Sequence, residues 1–349
     1  MLKLNTLALL IGSSSILLGC STAGLGHVPS TRENYNIALN NSDNEQFLLN
    51  IARMHDNKTP FFVGVDSITT QTSLNYSSGG GDTSFGNSYS GFGIAWNILP
   101  SITFTQSPTI TYSPMQGTSY ISGLLTPLDL TKLYYLVETN LELSTVLKLS
   151  LEQLGPLYNH DNFMTNGTGD NNDFNNFVTW LDQQRIDGKL NLYLSSYQKA
   201  PALLLYISDD KVAAQVAKTL RLKHIHHKLL LSPNVNSMVT TDNLVKINTR
   251  SVFAVLNFLS NGIVNQDTNN VVTKIPQSTT GDMFKLYMST NSPSKVYNKV
   301  KYEDKWYYIQ NNDIQSKTTL MLLKIMFALQ SGEISSGPWS VVNAPNPTE

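Results

Sequence analysis

Apolar residues recur along much of this chain at the three- and four-residue spacing that is typical of amphipathic helices. The clearest example is Phe174, Phe177, Val178 and Leu181. Residues 42–45 also have the spacing of a capping box, which marks the start of a helix. The pattern predicts a first helix that begins at residue 42 and ends before residue 59. Further helices are predicted at 127–137, 143–151, 174–181, 209–223, 252–259 and 318–330. Pro127 is the first residue of the second helix, and Ser316 caps the last one.

Other stretches alternate apolar and polar residues, or form short β-branched and aromatic runs, and these patterns indicate strands. The last two predicted strands form a hairpin around Glu303 and Asp304. Strands are predicted at 61–65, 68–76, 92–98, 102–106, 110–112, 190–194, 202–207, 244–247, 284–288, 296–302 and 306–309. Because helices and strands are mixed rather than regularly alternating, we expect an α+β fold with mainly antiparallel strands.

The predicted strands at 66–76 and 92–106 flank a Gly/Ser-rich stretch, 77–91, that we interpret as a mobile loop. Each has about the length of a β-strand that crosses a bilayer. Copies of the chain could contribute such strands to a sheet within a membrane, but a half-buried sheet of a globular body has the same pattern. Pro100 within the second strand favours the globular interpretation.

The N-terminus has the features of a secretory signal peptide: a charged start with Lys3, an apolar run too short to span a bilayer, and small residues after it. The segment 16–20, Ile-Leu-Leu-Gly-Cys, resembles the lipobox of bacterial lipoproteins. That resemblance implies that residues 1–19 are removed and that Cys20 is lipidated. Since Ser21 rather than aspartate follows the cysteine, it also implies the outer membrane. We expect the body on the periplasmic side, although the sequence does not identify the leaflet that it faces.

The predicted anchor sets the rest of the organisation. Residues 20–34 are predicted to be a tether, 35–158 an N-terminal α+β part and 174–335 a C-terminal α+β part. The polar loop 159–173 would separate the two parts, and 336–349, rich in proline, would be a disordered tail.

Composition narrows the range of functions. The chain has 24 basic and 25 acidic residues, which is not the charge of a protein that binds nucleic acid. Its one cysteine, Cys20, would carry lipid, so no disulfide is expected and the fold must depend on its core. No cofactor motif is present, and we predict no cofactor.

Six short segments carry a second resemblance. They are 43–46 (DNEQ), 67–71 (SITTQ), 108–112 (PTITY), 305–309 (KWYYI), 316–319 (SKTT) and 327–333 (FALQSGE). Together they resemble a group of uncharacterised proteobacterial envelope proteins. The group implies no activity and therefore no catalytic residues. Large envelope machines such as type IV secretion core complexes recruit lipoproteins of comparable size, which is an analogy of location only.

Candidate chemistry is sparse. His224 and His226 would share a face if they lay on a strand, and they could bind a metal together if a third ligand joined them. Lys223 and Lys228 flank them and disfavour a dication, so we predict no metal site and expect a solvated basic edge. The group Lys218, Arg221, Lys223 and Lys228 is a candidate contact for lipid phosphates or for a partner's acidic patch.

No nucleophile elbow, zinc-protease motif or Walker loop occurs, so no catalytic residue is predicted. The sequence favours a lipoprotein that is a structural or interaction component of an envelope assembly, with envelope proteins or further copies of itself as partners. The aromatic strand 306–309 is one candidate interaction surface, although aromatic residues of this kind are more often part of the core. The alternative is an envelope enzyme or a cell-wall or glycan binder. A pocket with converging carboxylates or histidines would favour the alternative, whereas long unpaired strand edges would favour assembly.

Overall fold

The protein has an α+β fold with mainly antiparallel sheets, as predicted. The structure is a computed structural model, which describes residues 27–78, 100–139, 141–159, 171–235, 242–266, 280–281 and 283–331. The predicted signal peptide, Cys20, the tether up to residue 26, the strand at 92–98 and the tail lie outside the described residues. Among the described helices, none is both long enough and apolar enough to cross a membrane.

The described part of the chain forms two compact units, one made of residues up to 60 and from 117 on, and one made of residues 61–116. The smaller unit is a β-hairpin of two long antiparallel strands, β1 (Val63–Ser78) and β2 (Pro100–Pro114). The larger unit contains two sheets and the helices. Its helices are α1 (His27–His55), α2 (Thr118–Leu125), α3 (Leu130–Val137), α4 (Leu143–Ser150), α5 (Asn171–Ile186), α6 (Asp210–Thr219), α7 (Val252–Ser260) and α8 (Ile314–Ser331).

A six-stranded sheet organises one half of the larger unit. Its spatial order is β4 (Leu157–Tyr158), β3 (Leu151–Leu154), β8 (Leu244–Thr249), β7 (Lys228–Ser232), β6 (Ala200–Ile207) and β5 (Leu190–Tyr197). Neighbouring strands are antiparallel except β7 and β8, which are parallel. Leucine, phenylalanine and isoleucine side chains from α4, α5 and five strands of the sheet enclose one apolar cavity, so the core of this half lies between the helices and the sheet.

A four-stranded sheet organises the other half. Its order is β11 (Val296–Tyr302), β12 (Lys305–Gln310), β10 (Leu286–Ser289) and β9 (Ile263–Asn265). Helix α1 packs against β11. Its Phe47 ring contacts the ring of Phe327 in α8 edge to face, with the two ring centres 5.3 Å apart. The predicted hairpin around Glu303 and Asp304 is confirmed, because β11 and β12 pair through Tyr302 and Lys305.

Helix α1 differs from its prediction. Residues 42–45 lie inside the helix rather than at its start, and the part of the predicted tether from His27 on is helical. The reason is tertiary: Asn44 is buried and donates to Asn298 Oδ1 at 3.0 Å, while Lys324 Nζ donates to Asn44 Oδ1 at 2.8 Å. A polar residue that looks like a cap therefore serves as a buried bridge between α1, β11 and α8.

Two other helix starts differ as well. Pro127 lies before α3, which is capped by Asp129, whose side chain accepts from the Thr131 N–H at 2.7 Å. Ser316 lies inside α8, and its backbone N–H donates a hydrogen bond to Asp313 Oδ1 at 3.0 Å. Asp313 therefore acts as the cap of α8. The Ser316 hydroxyl instead accepts from the Lys285 N–H at 2.8 Å, which ties α8 to the segment before β10.

Arg250, a buried residue just after β8, connects several elements of the larger unit. Its guanidinium donates to the carbonyl oxygens of Lys148 at 2.8 Å and Leu149 at 3.2 Å, and also to that of Asn159. It lies 4.1 Å from the centre of the Phe258 ring. The last carbonyls of a helix have no partner within the helix, and a cation is favoured there. Arg250 thus closes the C-terminus of α4.

Candidate functional site

The two histidines singled out in the sequence lie at the sheet edge where β7 and β8 begin. They are not on a strand but in the loop between α6 and β7. Strands β7 and β8 are parallel, with Leu230 opposite Leu244, and the Leu230 N–H donates to Asn243 O at 2.8 Å. Because parallel strands begin at the same edge of a sheet, the residues just before each of them lie side by side.

This arrangement brings a carboxylate to the histidines. His226 Nε2 lies 3.2 Å from Asp242 Oδ2, and His224 Nδ1 contacts the same oxygen. The other carboxylate oxygen accepts the backbone N–H of Lys223 at 3.2 Å. The two imidazole rings are nearly perpendicular, at 83°, with their centres 6.4 Å apart. The three side chains form what we call the His–Asp cluster: His224, His226 and Asp242.

The cluster is partly open to solvent. The side chain of His224 is 76% exposed, whereas those of His226 and Asp242 are 28% and 27% exposed. The hydrogen bond from His224, followed by those from His226 and the Lys223 N–H, lowers the pKa of Asp242 below its ordinary value of 3.8. The carboxylate is therefore ionised at neutral pH and available as an acceptor or ligand.

The neighbouring His227 does not belong to the cluster. Its Nδ1 lies 2.8 Å from Ile207 O, and its Nε2 lies 3.2 Å from Asp210 Oδ1. Its ring thus contacts the end of β6 and the start of α6. His227 is for this reason a matched control for any experiment on the other two histidines.

The four basic residues predicted to contact lipid or a partner, Lys218, Arg221, Lys223 and Lys228, are all exposed. Lys218 is in the last turn of α6, and Arg221, just after that helix, has a positive φ of 55°. Whether these residues touch lipid or a partner stays a prediction, as does the lipidation of Cys20.

Sequence reasoning did not find Asp242. It is 16 residues after His226, so no local motif connects them. The signal that could have found it is a carboxylate just before the predicted strand 244–247 and histidines just before the strand observed as β7. That signal becomes informative only if the two strands are parallel neighbours, and β7 was not among the predicted strands.

The hairpin β1–β2 presents a second candidate site, an exposed apolar face at its base. In β2, Ile110 and Tyr112 are 37% and 61% exposed, and they lie opposite Ile68 and Val65 of β1. A bulge between Val65 and Ser67 inserts one extra residue into β1. Because a bulge shifts the alternation by one residue, Val65 and Ile68 share a face although they are three residues apart. These four residues form a surface that we call the hairpin base face.

The edges of the hairpin are also distinctive. In the described residues each of the two strands has only the other as a strand neighbour. Natural edge strands are usually protected by charges or prolines. Strand β1 contains no proline, and its one charged residue, Asp66, is the residue at the bulge; β2 contains Pro100, Pro108 and Pro114. The outer edge of β1 is therefore the less protected of the two.

The aromatic strand 306–309, a candidate interaction surface in the sequence, is part of the core. Tyr307, Tyr308 and Ile309 are buried in β12, and Trp306 is half-buried with Lys299 Nζ 5.1 Å from its ring centre. Exposed apolar side chains of the described strands are instead found at the hairpin base face and at isolated positions such as Tyr193 and Leu194.

Comparisons with protein-family models, with curated protein sequences and with solved structures give no match for this chain.

Proposed function

We propose that this chain is an outer-membrane lipoprotein that acts as a structural component of an envelope assembly, of the kind to which secretion-system core complexes belong. Copies of the chain associate through the hairpin β1–β2, and the lipid on Cys20 holds them at the membrane. The observation that supports this role is the hairpin itself, with its open edges and its exposed base face.

The hairpin consists of two long strands, and two strands alone give a sheet little stability. A two-stranded hairpin is only marginally stable in water, whereas three or more strands with a buried apolar face are stable. Both strands are nevertheless long, 16 and 15 residues, and pair along their length with one bulge. A further strand from another chain would pair with the outer edge of β1, and a second hairpin packed face to face would bury the hairpin base face.

The composition of the hairpin favours a second copy of the same chain as the source of that strand. The two strands carry a single charged residue, Asp66, so two hairpins meet with little repulsion. Their mixture of Ser, Thr and apolar residues also suits the pairing of one copy with another, because Thr–Thr and β-branched cross-strand pairs are favourable. A second copy therefore fits the edge without any further assumption about composition.

An envelope enzyme or a glycan-binding lipoprotein is the alternative. The apolar cavity beside the six-stranded sheet is lined only by Leu, Phe and Ile side chains and offers no acid or base. The His–Asp cluster lies at an exposed sheet edge, where His224 is mostly in solvent. Long strands that have no further strand neighbour in the described residues support assembly over catalysis.

The experiment compares substitutions on the two faces of β2. Tyr112→Lys and Ile110→Lys place a charge in the hairpin base face, whereas Thr109→Lys and Thr111→Lys place it on the opposite face; all four side chains are exposed. Two differently tagged copies of the full chain are co-expressed, and mixed oligomers are measured by tandem purification and light scattering. We expect the first pair of variants to lose mixed oligomers and the second pair to retain them.

Two outcomes would contradict the proposal. One is a monomeric wild-type chain at micromolar concentration in detergent. The other is equal retention of oligomers in both pairs of variants, which would mean that the hairpin base face is not the contact.

The anchor is tested separately with Cys20→Ser. We expect mass analysis to find acyl groups on the wild-type cysteine, and the Cys20→Ser chain to leave the membrane fraction, because a serine hydroxyl receives no thioether-linked lipid. A membrane-bound Cys20→Ser chain whose leader has been removed would show that lipid on Cys20 is not what holds the protein at the membrane.

A further inference from the structure

We infer that the His–Asp cluster is a binding site for a divalent transition metal, with Zn²⁺ as the best match, held by His224, His226 and Asp242. The sequence alone argued against a metal here because it showed only two ligands between two lysines. The structure adds the third ligand and places the three ligating atoms within 4.8 Å of one another.

The ligand types are those that zinc prefers. Imidazole nitrogen and carboxylate oxygen bind Zn²⁺ at about 2.0–2.2 Å, in tetrahedral geometry. Two ligands of such an ion are therefore about 3.3 Å apart. The separation of His226 Nε2 and Asp242 Oδ2, 3.2 Å, matches this value without rearrangement. His224, the most exposed member, has room to rotate so that its nitrogen reaches the same ion.

The site also has an outer shell. The Lys223 N–H fixes one oxygen of Asp242, which leaves the other oxygen directed at the histidines. Metal-binding carboxylates are commonly oriented in this way. Asp242 and Asn243 are held in turn by the start of the parallel pair β7–β8, through the bond from Leu230 to Asn243. The carboxylate is thus supported by the edge of a sheet.

The flanking lysines do not prevent binding. Lys223 and Lys228 are both exposed, so their ammonium groups are solvated and screened at ordinary ionic strength. Three protein ligands leave a fourth position of a tetrahedral ion for water or for an outside ligand, the arrangement of open zinc sites rather than of closed structural ones.

Zinc binding at the cluster does not depend on the proposed function, and it is tested with zinc alone. The full chain carries Cys20→Ser, so that no thiol competes for the metal, and a purification tag without histidines. Isothermal titration calorimetry with ZnCl₂ measures stoichiometry and affinity for this chain and for His224→Ala, His226→Ala, Asp242→Asn and the control His227→Ala. We expect one zinc ion per chain.

Loss of His226 or Asp242 is expected to weaken zinc binding by at least about 100-fold, since loss of an outer-shell partner alone costs about 10–100-fold. His224→Ala should weaken it in the same direction, and this variant cannot lose binding through misfolding because its ring is mostly in solvent. His227→Ala should bind like the parent chain. Failure to saturate at one equivalent, or equal affinities in the His226 and His227 variants, would overturn the site and identify the cluster as a simple hydrogen-bonded contact.

Discussion

The six-stranded sheet and the hairpin β1–β2 differ in the length of their strands and in how far the apolar side chains on those strands are buried. The larger sheet uses strands of two to eight residues, and its central strands bury leucine, valine and isoleucine residues against α4 and α5. The hairpin uses strands of 16 and 15 residues but leaves Val65, Ile110 and Tyr112 exposed. The comparison indicates that the larger sheet obtains its burial from its own chain, whereas the described residues of the hairpin's unit leave these side chains uncovered.

The largest loss of stability is expected at Arg250, which contacts the C-terminal end of α4 beside the larger sheet. In Arg250→Met, the carbonyls of Leu149 and Asn159 lose their guanidinium donor, whereas that of Lys148 keeps the hydrogen bond from Asn159 Nδ2 at 2.7 Å. Each buried acceptor left without a partner costs about 1–3 kcal/mol, so we expect a loss of about 4 kcal/mol in the free energy of unfolding. Urea denaturation followed by far-UV circular dichroism measures it.

Arg185→Met is the control for this substitution. Its guanidinium lies 3.9 Å from a half-exposed Glu138 carboxylate, and such surface pairs contribute less than about 1 kcal/mol. Equal losses in the two variants would mean that the carbonyl contacts of Arg250 contribute little.

The next test removes a core side chain from the larger sheet. Leu203 is 1% exposed and lies opposite Leu194, which is 43% exposed, in the pair β5–β6. Leu203→Ala should lower the free energy of unfolding by about 3 kcal/mol because it leaves a cavity. Leu194→Ala should cost less than about 1 kcal/mol. Both side chains lie on the same face, so similar losses at the two positions would contradict the fall in burial from β6 to the edge strand β5.

A smaller, pH-dependent effect is expected at Asp209, the cap of α6. Its side chain accepts the N–H groups of Val212 at 3.0 Å and Lys211 at 2.9 Å, and the bond from Val212 is the main reason why its pKa lies below 3.8. A carboxyl group with a lowered pKa stabilises the fold above 3.8 and loses that contribution as the pH falls through its folded-state pKa. The denaturation midpoint of the wild type should therefore be higher than that of Asp209→Asn at pH 6. The difference between the two midpoints should become smaller below pH 4. A difference that stays constant over this range would contradict a contribution from the charge.

The smallest effect is expected in the hairpin. Tyr112→Ser removes a side chain that is 61% exposed, so the free energy of unfolding of the monomer should change by less than about 0.5 kcal/mol. Denaturation at low protein concentration measures the monomer, and repetition at high concentration measures association. A large loss at low concentration would show that the hairpin base face is already buried within one chain.

The parts of the fold that the sequence predicted well are those governed by local patterns. Phe174, Phe177, Val178 and Leu181 are buried on α5 as their spacing indicates, and Asp209 caps α6. The strands β5, β6, β8, β11 and β12 and the helix α7 lie where alternation or apolar runs placed them. Each of these signals lies within about ten residues, which is the range over which period and capping act.

The parts that the sequence did not predict depend on distant partners. Asn44 looks like a cap residue, but its partners Asn298 and Lys324 are 254 and 280 residues away. Residues 151–154 continue an apolar helical stripe, yet they form β3 because β8 supplies a strand partner. The His–Asp cluster has the same origin, since only the parallel pairing of β7 and β8 brings Asp242 to the histidines.

The bulge at Asp66 determines where the apolar surface of the hairpin can extend. With the extra residue in place, Val65 and Ile68 lie on the same side as Tyr112 and Ile110, and Ser113 Oγ contacts the Asp66 carboxylate beside the bulge. If Asp66 instead took a regular place in the strand, Val65 and Ile68, which are three residues apart, would point to opposite sides. The bulge thus keeps the stripe continuous down to the open end of the hairpin, whereas pairing of the same residues without a bulge would divide that stripe into two short patches that face in opposite directions.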